Sequence, residues 1–220
     1  MDTPPRAQPD TVNKSATLPF FELEPPPGIR VESYGISDIG RVRKANEDQF
    51  LIGQLKNALD VERTSLKQAR TKWGRKQFGH LFIVADGVGG SVGGRHASAL
   101  TIDTIEAVLV SVIDTCQHDS TDDEAILNGL SEAVELADYR VIKESHDRPE
   151  LSGMGTTVTV AFLRESDLFL AHVGDSRCYL FRDGQLGQLT KDHTIADELA
   201  REGVLRQEEV EAHPMSNVIN

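Results

Sequence analysis

Asp86 and Gly87 close a compact apolar run, residues 80–85, and are followed by Val88, Gly89 and Gly90. A carboxylate there projects from a rigid strand, and the glycines let the backbone turn sharply and bring a carbonyl oxygen close to a ligand. Hard divalent cations such as Mg²⁺ and Mn²⁺ take oxygen donors of this kind. Upstream, Arg43 precedes Asn46, Glu47 and Asp48. That spacing sets a guanidinium able to grip a phosphate with two N–H groups beside carboxylates able to hold a metal or orient its water. Downstream, Gly174, Asp175, Ser176 and Arg177 place another carboxylate beside a glycine. Gly153, Gly155, Thr156 and Thr157 precede a strand-like run and read as structural. Taken singly, each segment is an ordinary turn or a surface ion pair.

Elements that would carry these residues are legible on either side. Short alternating runs at residues 31–37 and 49–53 predict strands meeting at the Arg43 loop, and the run at 80–85 predicts a buried strand ending at Asp86. Apolar residues from Ala97 to Val112 recur at helical spacing, which predicts a long helix beginning near His96. A second helix follows from the capping pattern Thr121-x-x-Glu124 and the run Leu127, Leu130, Val134, Ala137 and Val141. Strands are expected again at 156–163, 168–173 and 176–182, with Asp183-Gly184 as a two-residue hairpin turn into 185–190. A short helix from about Thr194 is stopped by Gly203, and another ends before Pro214. Strands, then two helices, then more strands predict an α+β fold.

Residues 1–28, ending in three prolines and Gly28, read as a flexible leader, and 29–220 as one domain. Within it, residues 54–79 gather Lys56, Arg63, Lys67, Arg70, Lys72, Arg75 and Lys76 into a polar basic insertion. The formal net charge of −12 disfavours a nucleic-acid partner, because phosphate contacts need Lys and Arg. Cys116 and Cys178 lack the spacing of a zinc or disulfide framework, and no apolar run reaches membrane-spanning length. A cytoplasmic setting is the simplest expectation.

In this order the segments resemble the PPM (type 2C) family of metal-dependent protein serine/threonine phosphatases. The resemblance rests on Arg43 with Asn46-Glu47-Asp48, on residues 82–90 around Asp86-Gly87, on Gly155-Thr156-Thr157, on residues 173–177 around Asp175, and on residues 189–194. It implies a sandwich of two antiparallel β-sheets flanked by helices. It also implies hydrolysis of phosphoserine and phosphothreonine by a water bridging two Mn²⁺ or Mg²⁺ ions, with a third, weaker metal position. Carried over by position, Asp86 bridges the ions, Gly87 offers its carbonyl, Arg43 holds the substrate phosphate, and Asp175 belongs to the third position. Glu47 and Asp48 both match the acidic pair, and either fits the water-mediated contact to metal.

The sequence departs from the family pattern twice. Ser91 stands where many bacterial members have histidine, and two further metal aspartates of the family are not found before Asn220. The resemblance thus takes in the N-terminal two-thirds of such a domain, and the C-terminal third is expected to be lacking. Two readings follow: a phosphatase acting on phosphorylated proteins, as a monomer opposite a cognate kinase, or a phosphatase-like binding or regulatory module with weak turnover. Nucleotide binding by the glycines of 87–94 is disfavoured, since no Lys-Ser/Thr follows them.

Overall fold

The computed structural model describes residues 30–55, 59–65, 78–115, 123–216 and 218–219. The leader, Cys116, Thr121 and most of the basic insertion lie outside them. In chain order the strands are β1 (Gln49–Leu55), β2 (Leu59–Thr64), β3 (Gly79–Ala85), β4 (Gly87–Val88), β5 (Gly155–Thr156), β6 (Val158–Arg164), β7 (Asp167–Val173), β8 (Tyr179–Arg182) and β9 (Gln185–Gln188). The helices are α1 (Gly90–Thr115) and α2 (Asp123–Asp147), between β4 and β5, and α3 (Ile195–Arg201).

Five strands form one antiparallel sheet in the order β2-β1-β3-β6-β7. Its register aligns the apolar residues of successive strands. Leu51 pairs with Ile83, Ile83 with Val160, and Val160 with Ala171. Side chains alternate across a strand, so one face becomes continuously apolar. Helices α1 and α2 cover that face with Ile102, Ile105, Leu109, Ile126, Leu130, Ala133 and Ala137. Leu51, Leu81 and Ile83 are fully buried beneath them, each stabilising the fold by about 1.5–3 kcal/mol. The opposite sheet face leaves Val84 and Leu168 exposed. No helix among the described residues is long and apolar enough to cross a membrane.

The α+β expectation holds. Among the described residues, the strands outside the main sheet form two short ladders, β4 with β5 and β8 with β9, rather than a second large sheet. Asp183 and Gly184 both have positive φ in the β8–β9 hairpin, which is the turn their sequence predicts. The helix expected to end before Pro214 is only a 3₁₀ turn, Gln207–Glu209, and three further local expectations differ from what is observed. Residues 31–37 alternate but form no strand, because no neighbour pairs with their backbone. They are instead tied by side chains: Ser33 Oγ donates to Glu62, and Ser37 Oγ accepts from Asn46. Part of the expected insertion, residues 59–64, is the edge strand β2. Helix α1 starts at Gly90, well before His96, since its first turns contain Gly93 and Gly94 and so carry little apolar pattern.

Candidate metal and phosphate site

Asp86 sits immediately after β3, where its backbone is fixed from both sides. Its N–H donates to Thr157 Oγ1 at 3.0 Å, and its carbonyl accepts from Thr157 N and Thr156 Oγ1, each at 2.9 Å. Thr157 is fully buried, and its hydroxyl lies 2.7 Å from Ser176 Oγ. The clamp leaves only the Asp86 side chain free to do chemistry. Two adjoining pockets share Asp86 and Asp48: one of about 320 Å³, also lined by Arg43, Asn46 and Glu47, and one of about 260 Å³, reaching Ser176.

The segment carrying Asn46, Glu47 and Asp48 is held by the first turns of α1. Arg95 Nε donates to the Asn46 carbonyl at 3.2 Å, and Ser98 Oγ to the Glu47 carbonyl at 2.6 Å. Asn46 Oδ1 accepts from the Asp48 N–H at 3.0 Å, and its Nδ2 donates to Ser37 Oγ at 2.6 Å. Glu47 is buried while Asp48 is exposed. The Glu47 carboxylate lies against Gly94, where an added Cβ would stand 2.1 Å from Oε2. Asp48 lines both pockets with Asp86, and its carboxyl is close enough to act on the Asp86 carboxyl. Successive residues of an extended segment point to opposite sides, so the acidic pair divides its work: Asp48 turns to Asp86, Glu47 to α1.

The Asp86 carboxyl is held above its ordinary range, first by burial and then by the neighbouring Asp48 carboxyl, with Arg43 acting in the opposite direction. Two neighbouring carboxyls cannot both ionise comfortably without a counter-charge. A hard divalent cation supplies one, and oxygen donors are what it prefers, so the donor set fits a Mg²⁺- or Mn²⁺-like ion. Among the described residues no third His, Cys, Asp or Glu joins these two in one cluster.

The remaining expected residues are placed as follows. Arg43 is exposed and lines the pocket with Asp86. Gly87 is buried in β4, and a Cβ on it would stand 2.0 Å from the Gly94 carbonyl oxygen. Only glycine lets α1 approach this closely. Asp175 is half-buried in the turn after β7 and lines neither pocket, whereas its neighbour Ser176 lines the smaller one. Ser91 falls in the first turn of α1. The sequence showed Thr157 and Ser176 only as members of motifs with no role of their own, and it did not single out Arg95 or Ser98. The last two, spaced i and i+3, share one helix face, which was the available signal.

Comparison with known proteins follows the same outline. The family model described as Protein phosphatase 2C matches residues 34–202. The serine/threonine protein phosphatase PstP of Mycobacterium tuberculosis is 33% identical over 185 residues, covering 83% of this chain and 29% of the relative. A putative protein phosphatase 2C-type of Streptococcus pyogenes is 34% identical over 167 residues, covering 75% of this chain and 64% of its own. A crystal structure of the PstP catalytic domain in complex with two manganese ions superposes with a TM-score of 0.53 at 33% identity, over 79% of this chain and 61% of that one. The chain therefore spans less than two thirds of the length of each.

Proposed function

The chain belongs to the protein phosphatase 2C family, and from that premise we propose that it hydrolyses phosphoserine and phosphothreonine in proteins at Asp86, with Mn²⁺ or Mg²⁺ as cofactor. The observation that carries this reading is the Asp86–Asp48 carboxyl pair sharing a pocket with Arg43. The manganese pair in the PstP catalytic domain supports it. In this reading the carboxylates of Asp86 and Asp48 and the carbonyl of Gly87 would hold the metal, with Asp175 serving a further, weaker position. Bound there, a divalent ion supplies Lewis acidity, lowering the pKa of a water and neutralising phosphoryl charge. Arg43 binds two phosphate oxygens and orients the ester for in-line attack. Thr156 and Thr157 keep the Asp86 backbone from yielding as charge shifts, so the carboxylate is preorganised. Glu47, which lines the same pocket, supports the site from the α1 side. The substrates are phosphorylated proteins in the cytoplasm, made by a Ser/Thr kinase, and the chain acts as a monomer.

A second reading, phosphoprotein binding without turnover, is favoured by one observation: among the described residues the site gathers two acidic ligands rather than three. One experiment separates the two. The chain is incubated with a phosphothreonine peptide, and phosphate release is followed with Mn²⁺, with Mg²⁺ and with excess chelator. Release only with metal, lowered at least about a hundredfold by Asp86→Asn, is the expected result. Equal release in chelator would sink the metal mechanism. Metal-dependent peptide binding with no release would establish the second reading.

A further inference from the structure

The pockets at Asp86 do not end at Asp48. Ser37, Asn46 and Asp48 also line a larger groove of about 720 Å³, walled by Val92, Arg95, His96 and Ala99 of α1 and by Arg148, Glu150 and Leu151 beyond α2. Its volume lies within the range of ligand-binding clefts. A lining that mixes Val92, Ala99 and Leu151 with polar side chains suits an extended peptide, and neither Asp86 nor Arg43 is part of it.

Most charges in the groove are already matched. His96 pairs with Glu144, Arg148 pairs with Glu144 and Glu150, and Asp103 has a partner. Arg95 differs. It is exposed, and only its Nε is engaged, on the Asn46 carbonyl. Its Nη1 and Nη2 make no hydrogen bond or ion pair among the described residues. The Nε tether restrains the guanidinium beside the loop that carries Asp48, so less rotamer entropy is lost when the free N–H groups meet an anion. The result is an unmatched cation at the point where the groove joins the site, on a chain whose formal net charge is −12.

We propose that the groove receives the chain flanking the phosphorylated residue and that Arg95 binds an acidic side chain there, so that substrates with a nearby Asp or Glu are preferred. The proposal rests on the phosphatase reading above. Arg95 acts on selection and takes no part in the chemical step.

The test uses the full chain with Mn²⁺ and fluorescein-labelled peptides in which a non-hydrolysable phosphonate replaces phosphothreonine. Glu, Gln or Lys is placed at each flanking position in turn, and binding is read by anisotropy. At one position Glu is expected to bind about threefold to fivefold more tightly than Gln, with Lys weaker than either and the difference shrinking as salt is raised. Arg95→Gln brings the Glu-to-Gln ratio close to one, Arg95→Glu inverts the order, and Arg95→Lys retains it. A parent chain that shows no preference at any position overturns the proposal, as does an Arg95→Gln chain, melting like the parent, that keeps the preference. A parent that binds none of the phosphonate peptides removes the phosphatase reading itself, and the Arg95 subsite with it.

Discussion

Asp86 holds its place through Thr157, whose buried hydroxyl accepts the Asp86 N–H and also meets Ser176. Thr157→Val keeps the shape of the side chain but leaves a partly buried N–H without its acceptor, which costs about 1–3 kcal/mol. Thr157→Ser keeps the oxygen. We expect the valine variant to lower the melting temperature and to weaken Mn²⁺ binding about tenfold or more, read from the signal of free Mn²⁺, with the serine variant close to the parent. Unchanged Mn²⁺ affinity in a valine variant that melts lower would mean that Thr157 supports the sheet and not the site. Arg43, Asp86 and the undivided pair Glu47-Asp48 stood out as candidates because each sits in a short local pattern. Thr157 stands 71 residues from the amide it holds. Its neighbours form a recognisable motif, yet nothing local tells that the hydroxyl faces Asp86.

At the scale of elements, the first turns of α1 matter most, because one helix end fixes two parts of the site. Gly94 lets the helix lie against Gly87, while Arg95 and Ser98 hold the carbonyls of Asn46 and Glu47. A Cβ on Gly94 would stand 2.1 Å from Glu47 Oε2 and 2.7 Å from the Gly87 carbonyl carbon. The Glu47 side chain could move, but the Gly87 backbone could do so only by shifting β4. Gly94→Ala should therefore cost about 1–3 kcal/mol, a fall in melting temperature of about 2–12 °C, although alanine is the better helix former. A rise in stability would show that the helix and β4 are not in contact as described. The same glycines hid the start of α1, since they carry no apolar period to read. The sheet strands were easier: β3 is a compact apolar run, β1 and β6 are short strand-like runs, and all three have partners on both sides. Residues 31–37 alternate, but alternation without a paired neighbour yields no strand.

At the scale of the whole molecule, stability should depend on pH through groups that join elements. His172 of β7 lies between Thr159 of β6 and the backbone of Lys191, with the His193 ring centroid 5.0 Å away and Asp192 nearby. Its pKa is lowered, first by burial and then by the charge of His193, against smaller opposing effects from Lys191, Gly174 and Asp192. The folded state therefore takes up this proton less readily than the unfolded state. Its contribution to stability is complete above the ordinary imidazole value of about 6.5 and is lost as pH falls from there through the lower folded value. Glu144, lowered chiefly by its hydrogen bond to His96, has the same sign in a more acid window. Ionised, it ties α2 to α1, and that contribution goes only as pH falls below the ordinary glutamate range. General charge repulsion works the other way, since acidification moves a chain of net charge −12 toward its isoelectric point near 5.0. Most carboxyls barely titrate between pH 7.5 and 6, however, so the histidine effect should prevail there. The melting temperature is expected to fall across that interval, and His172→Gln should flatten the slope. A parent that melts at the same temperature at both pH values, or a variant with the parent's slope, would place the acid sensitivity elsewhere in the molecule.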